Sequence, residues 1–345
     1  MRRLLNISTL IKRPPTLQGK HANLKIALIS DELTRSCLAL ECQLRHVTPL
    51  NYKWVLKTWK PDLLLVESAW QGFFNAWKYK IADYPDYPER NNNKLKHLVN
   101  YAKENRIPTV FWNKEDSVHF KRFIDSAVLF DYIFTVDANC IPRYQQYTQV
   151  PVNSLLFAVQ PAIHYPVTTP YKQHRACFVG SYSHHVHDRR RYWQDMFFNS
   201  CNEIGLTVFD RNSSRRSTNY RYPNMPWLTL QNSVAHEKTA AIYRDYMVSL
   251  NVNTIEDSQT MFSRRLIEIL ACGSLAVTNP ALSVDYYFKE YCLVIHSEEQ
   301  LRDLFAELKY GLRPIDIERA KAAADYVLKE HTWSHRLTEI LRVIS

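Results

Sequence analysis

From residue 24 onward, short apolar runs alternate with longer stretches in which apolar residues recur at helical spacing. LKIALI (24–29) and residues 62–66, 108–112, 132–136 and 152–159 read as strands, and 94–106 and 117–129 as helices between them. Polar residues follow the strand candidates: Ser30-Asp31-Glu32, Glu67-Ser68-Ala69-Trp70, the run from Asn113 to His119, and Asp137. The turn-rich tract DYPDYPERNNN (83–93) predicts a surface loop. QPAIHYPVTTPYKQH (160–174) holds three prolines and breaks both periodicities, which places a domain junction there. A second series then begins, with strands at 176–179, 206–209, 248–252, 275–277 and 293–295 and helices near 188–203, 235–246, 262–272 and 298–310. Two further helical stretches, 315–330 and 333–343, end the chain.

Strands alternating with helices imply parallel sheets covered on both faces, an α/β architecture of two doubly wound, Rossmann-like domains, 1–160 and 161–331, facing a cleft. In such sheets ligands bind beyond the carboxyl ends of the strands, where the polar residues gather here.

The most informative stretch is 249–288. Alternation at Val248, Leu250 and Val252 gives way to a polar loop, then to helical spacing at Leu266, Ile269 and Leu270, a stop at Gly273, and a new strand from Leu275. Arg264 and Arg265 fall in the first helical turn, where each cation opposes the helix dipole by about 0.3–1 kcal/mol unless an anion sits among the free N–H groups. Glu268 lies four and three residues on, on the same face. Two readings fit: a phosphate held by the arginines with the glutamate serving a ribose, or an intrahelical ion pair on a solvated face.

Composition narrows the partners. The 345 residues carry a formal charge of +10, which suits an acidic ligand or surface without choosing among nucleotide diphosphates, anionic lipid and nucleic acid. Thirteen per cent aromatic residues supply candidates for stacking on sugars, Trp70 and Trp112 among them, as well as core. The seven cysteines form no CxxC pair and read as reduced thiols of a cytoplasmic protein. No run approaches the length of a membrane span. The leader MRRLLNISTLIKRPPTLQGK is basic and free of acidic residues, and its broken apolar run makes it a poor signal peptide. It reads as a frayed or packed segment, or as a short amphipathic helix lying on an anionic membrane.

Further candidates cluster after strand ends. Gly180-Ser181 closes the first strand of the second domain, followed by a His-rich loop and Arg189-Arg190-Arg191; a glycine there permits close approach of a ligand, and an arginine can reach a diphosphate. His184, His185 and His187 lack companions at zinc-like spacing, so no metal is expected. Arg211, Arg215, Arg216 and Arg221 form a basic loop, either covering an anion or solvated. In the first domain Glu67, Glu115, Asp116 and His119 are candidates to take a proton from an acceptor hydroxyl, although Asp116 equally fits a cap on the helix beginning near Ser117.

PDLLLVESAW, IPTVFWNKEDSVHF, FDYIFTVD, LLFAVQPAIHYP, FVGSYS with DRRR, LNVNTIEDSQTMFSRRLIEILACG and EHTWSHRLTEIL, taken in order, resemble the GT-B glycosyltransferases, specifically a bacterial group-1-like branch related to CgeB spore-maturation proteins. The resemblance implies that the first domain binds the acceptor, the second a nucleotide-sugar, and that the last helix (332–345) crosses back onto the first domain. It implies donor contacts from Gly180, Ser181, Arg190, Asn251, Asp257, Thr260, Ser263, Arg264, Arg265, Glu268 and Gly273, with Glu268 on the ribose. Many relatives carry a glutamate eight residues before this one; here Thr260 stands there, and the tract 257–263 is expected to make the sugar contacts instead. No DxD motif occurs, and neither cofactor nor metal is expected. The implied activity is transfer of a sugar from a nucleotide-diphosphate-sugar to a hydroxyl of a growing cell-envelope or surface glycan, free or lipid-linked, with no nucleic-acid partner. The alternative is a non-catalytic scaffold binding a glycan or partner in coat or envelope assembly.

Overall fold

A computed structural model describes residues 17–345 and shows two six-stranded sheets; the leader lies outside the described residues except for its last four. The first sheet contains β1 (Lys25–Ile29), β2 (Gln43–His46), β3 (Leu63–Glu67), β4 (Thr109–Asn113), β5 (Tyr132–Thr135) and β6 (Val152–Ser154). Its order is β2-β1-β3-β4-β5-β6. The second contains β7 (Gln173–Gly180), β8 (Leu206–Asp210), β9 (Leu228–Gln231), β10 (Tyr246–Asn251), β11 (Leu275–Thr278) and β12 (Leu293–Val294), in the order β12-β11-β10-β7-β8-β9. Every pairing between these strands is parallel.

Counted from β7, the second order is that of a dinucleotide-binding Rossmann sheet, and it reverses direction between β7 and β10. The first reverses between β1 and β3. Chain connections at such a reversal leave in opposite directions, so a crevice opens there at the carboxyl ends. The two crevices face one another.

Several boundaries differ from the reading of the sequence. Sheet pairing of the fifth strand stops at Ser154, and residues 155–159 run on as an extended connection with a single parallel bridge from Val159 to Thr332. The stretch 117–129 becomes a helix only over Phe120–Ala127, with His119 at the N-cap position, so Asp116 is not its cap. The helix expected over 235–246 is reduced to Thr239–Asp245. Strands β2 and β9, short and only partly buried, have no counterpart in the apolar pattern of the sequence.

The last helix, Trp333–Ile344, returns to the first domain. Trp333 meets Trp112 edge-on at 5.5 Å, and Arg336 Nε donates to Leu156 O at 3.2 Å. One apolar cluster thus runs from β1 and β3 through Trp112, Trp333 and Leu337 into the helix Arg264–Ala271. Trp112 is core and not a stacking platform. All seven cysteines are free and buried. Among the described residues no helix is long and apolar enough to cross a membrane.

His331, at the return, is buried and accepts from Arg336 Nη2 at 2.9 Å, and its backbone carbonyl accepts from Val159 N. Burial and the neighbouring guanidinium push its pKa down from 6.5 to about 3. Below pH 6.5 the unfolded chain therefore binds a proton that the folded one refuses, and stability contributed above that pH is lost as pH falls toward 3. The thermal midpoint is expected to drop across this window, with a shallower drop in His331→Asn. Identical pH profiles for the two proteins would contradict this account.

Candidate functional site

At the crevice of the second sheet the helix Arg264–Ala271 begins with Ser263 at its N-cap, whose backbone N–H donates to Asn253 Oδ1 at 2.8 Å. Seven of the eight helical residues are buried, because the helix packs between β10, β11 and the helix Pro314–Glu330. That burial carries Arg265 and Glu268 inward with the apolar residues.

Arg265 Nε donates to Val179 O at 2.5 Å, and its guanidinium lies 4.4 Å over the Phe178 ring. Its Nη1 is buried with no partner. A Cβ on Gly180 would sit 2.7 Å from Arg265 Nη2, so this glycine makes room for the arginine as well as for any ligand. Arg190 Nη2 donates to Ser181 O at 3.0 Å, and its Nε is likewise buried without a partner. Burial, with Arg265 and Arg211 beside it, lowers the Arg190 pKa from 12.5 to about 10. Guanidiniums whose pKa values are lowered by burial and by one another, with unused buried donors, form a site that an anion stabilises.

Glu268 is the carboxylate of this helix that lies beside them. Its Oε1 accepts from Arg264 Nε at 2.8 Å and from His236 Nε2 at 3.0 Å, while Oε2 has only the long approach of Tyr243 OH at 3.5 Å. Burial alone would raise its pKa, but the Arg264 charge and the His236 hydrogen bond hold it well below the usual carboxylate range. The ion pair therefore exists, yet on a buried wall instead of a solvated face, and one ionised oxygen remains available to a hydroxyl. His164, His236 and Glu268 can bring one ligand atom each within 4.8 Å. Arg264 already occupies the shared Glu268 oxygen, so a cation placed there would meet a guanidinium.

These groups line a cavity of about 620 Å³ between the domains, within the range of small-molecule sites. Arg190, Arg211, Arg264 and Arg265 come from the second domain, and Asp31, Trp70, Lys114 and Glu115 from the first. Lys114 donates to Glu67 Oε1 at 2.8 Å and lies 3.5 Å from Asp31 Oδ2. Burial would lower its pKa, and the carboxylates of Glu67, Asp31 and Glu115 more than reverse this, keeping it a cation. A smaller cavity of about 310 Å³ shares Arg190 and Arg211 and adds Ser181, His119 and Arg215.

Several candidates lie elsewhere. Glu67 is buried beneath the cavity floor, where Oε1 accepts from Asp31 N and Oε2 from Thr34 Oγ1. Asp116 is wholly buried and accepts from Asn113 Nδ2 (2.8 Å), Thr135 Oγ1 (2.7 Å) and Tyr144 OH (2.8 Å). Burial pushes its pKa up from 3.8 to about 7 despite those bonds. Neither carboxylate faces the cavity. Glu115 does, with His119 Nε2 4.0 Å from its Oε2 and the His119 ring edge-on to Trp70 at 5.1 Å.

Asn251 is buried at the end of β10, bonding Thr278 Oγ1 at 2.9 Å, and serves the sheet rather than the cavity. Gly273 stands at the far end of the helix with φ +67°, as a helix stop requires, and its added Cβ would press on Pro166. Thr260 Oγ1 donates to Val136 O (3.0 Å) and accepts from Ala138 N (2.8 Å), while Asp257 O accepts from Asn139 Nδ2 (3.0 Å). Both belong to a seam joining the domains, and from the tract 257–263 only Met261, Phe262 and Ser263 reach the cavity wall. Conversely, Asp31, Lys114, His236 and Tyr243 were not singled out from the sequence. Asp31 and Lys114 carried the weak signal of following β1 and β4; His236, in the connection after β9, carried none.

A family model described as glycosyl transferase-like matches residues 184–342, covering most of the second domain and nearly all of the returning helix. No curated protein matches the chain by sequence. Among solved structures, an alpha-glucosyltransferase in complex with UDP and a 13-mer DNA containing a HMU base is similar over 94% of this chain and 99% of its own, with TM-score 0.63 and 12% identity. Sucrose-phosphate synthase from Thermosynechococcus elongatus is similar over 91% of this chain and 78% of its own, with TM-score 0.53 and 10% identity. TarM is similar over 86% of this chain, with TM-score 0.52 and 10% identity, and the match spans 58% of TarM's length. Identities this low speak for the fold, and the fold is GT-B.

Proposed function

We propose that this protein transfers a sugar from a nucleotide-diphosphate-sugar to a hydroxyl of a glycan. The observation that carries the reading is the interdomain cavity lined by Arg190 and Arg265, each with an unpartnered buried donor, and by Glu268, whose Oε2 has only the 3.5 Å approach of Tyr243 OH. The arginines and the first turn of the helix Arg264–Ala271 hold the diphosphate, Glu268 Oε2 accepts from the ribose, and the sugar extends toward Met261, Trp70 and Glu115. As the glycosidic bond breaks, negative charge grows on the leaving diphosphate, where prepositioned guanidiniums stabilise it more than in the ground state. Glu115 is the open carboxylate on the acceptor side and, with His119 beside it, the candidate to take the hydroxyl proton.

The family match and the similarity in fold support sugar transfer. We extend this to a glycan as acceptor, kinship with the CgeB-related branch, and work in the cytoplasm without a metal. The free thiols support the compartment, and the guanidiniums supply the charge that a metal would otherwise provide. A second reading, a silent scaffold, draws on Thr260, whose hydroxyl is spent on the domain seam where relatives of the resembled family place a carboxylate.

Thermal-shift measurements over UDP-, GDP- and ADP-sugars, followed by a donor-hydrolysis assay on the best ligand, test both. A raised melting point with turnover is expected. A raised melting point without hydrolysis or transfer favours the scaffold, and no shift with any donor sinks the proposal.

A further inference from the structure

The edge of the first domain beside β2 exposes large apolar side chains in a field of positive charge. Leu50 is 98% exposed, Phe74 87% and Trp54 59%. From residue 42 to 61 the sequence has Arg45, Lys53, Lys57 and Lys60 and no acidic residue; from 68 to 82 it has Lys78 and Lys80 and again no acidic residue.

The two segments form one surface. His46 stacks on Phe73 at 3.9 Å, Phe73 lies 4.2 Å from Phe74, Asn51 Nδ2 donates to His46 O at 3.1 Å, and Trp77 Nε1 donates to Val47 O at 2.7 Å. Phe74 and Asn75 both hold positive φ, 51° and 61°, so the turn raises the Phe74 ring outward on a backbone that a bulky residue seldom adopts. Arg45 lies 5.2 Å from the Trp54 ring and 5.1 Å from that of Trp59, placing charge against the aromatic rings. The same turn starts at the cavity: Trp70 lines it, and Gly72 N donates to Asp31 Oδ1 at 3.1 Å.

We infer that this edge docks on an anionic lipid bilayer, with Leu50, Trp54 and Phe74 entering the headgroup region and the lysines meeting lipid phosphates. Exposed apolar and aromatic groups on two segments that together carry six cations and no acidic residue, with Glu32 and Glu89 flanking them, match that interface on both counts, whereas a protein partner would require a matching acidic, apolar surface. The turn that bears Phe74 thus links the docking edge to the cavity wall. The inference concerns binding and does not rest on the sugar-transfer reading.

The test is co-sedimentation of the full chain with vesicles of phosphatidylcholine alone and mixed with phosphatidylglycerol, at about 0.1 M and about 0.5 M salt. Binding is expected to the mixed vesicles and to weaken at the higher salt. Leu50→Ser with Phe74→Ser should weaken it about tenfold or more, and Lys53→Glu with Lys78→Glu should do the same while flattening the salt dependence. Both pairs are surface changes, and unchanged nucleotide-induced thermal shifts would show that the cavity is intact. Wild-type binding by the Leu50/Phe74 variant would place docking elsewhere, the leader included, and overturn the inference. So would failure of the wild type to bind mixed vesicles, or a wild-type dimer that the same variant dissociates, since a second copy would then cover the edge.

Discussion

Arg265→Met is expected to lower affinity for UDP, GDP and ADP by about 100-fold, and for inorganic pyrophosphate by a similar factor, because a charge-assisted hydrogen bond in a partly desolvated site contributes about 1.5–3 kcal/mol and a forked guanidinium makes more than one. Methionine keeps most of the volume beneath Val179 and over Phe178, so the loss reports charge and not a cavity in the fold. Glu268→Ala should behave differently. It removes the acceptor for a ribose hydroxyl and also a negative charge beside the anion site, so nucleoside diphosphate binding weakens while pyrophosphate binding holds or improves. Calorimetric titration of the three proteins with nucleotide and with pyrophosphate separates these effects. If Arg265→Met bound all four ligands as tightly as the wild type, the diphosphate would lie elsewhere.

Most of the strands legible in the sequence share one physical property, although the edge strands β6 and β12 were legible too from short apolar runs. Strands β1, β3, β4, β7, β10 and β11 are covered on both faces, and sequences buried on both sides read as continuous apolar runs. β2 (QLRH) and β9 (LTLQ) are sheet edges, half-buried or exposed, and nothing in their composition separates them from loop. In the site, Arg264, Arg265 and Glu268 were legible because helical spacing alone brings them together. Lys114, Asp31 and His236 meet them only through tertiary contacts across the cleft. Gly273 was read correctly from spacing as a helix stop, and its place among the donor contacts is what the structure does not support: a glycine after an apolar helix marks a backbone requirement, here that of the helix terminus.

The same ambiguity at Glu67 and Glu115 yields the sharpest separation. Both carboxylates sit at or just past the end of a strand in the first domain, and the sequence treats them alike. Glu67 is 1% exposed and satisfies Asp31 N–H, the Thr34 hydroxyl and Lys114, so Glu67→Ala would leave the nearly buried Lys114 ammonium, 12% exposed at the cavity wall, with the 3.5 Å contact to Asp31 and the charge of Glu115. Breaking a buried pair in this way costs about 3–5 kcal/mol, and denaturant unfolding should show a loss of that order. Glu115 has no hydrogen bond to its carboxylate among the described residues and meets only His119 at 4.0 Å, so Glu115→Gln should leave stability within about 0.5 kcal/mol. If it takes the acceptor's proton, the same change should cut transfer by about 10²–10⁴-fold while nucleotide affinity stays as in the wild type. A Glu115→Gln enzyme with undiminished transfer would remove Glu115 from the chemistry. A stable Glu67→Ala variant would mean that Lys114 is held by Asp31 alone and that the floor of the cavity is built differently from the arrangement described.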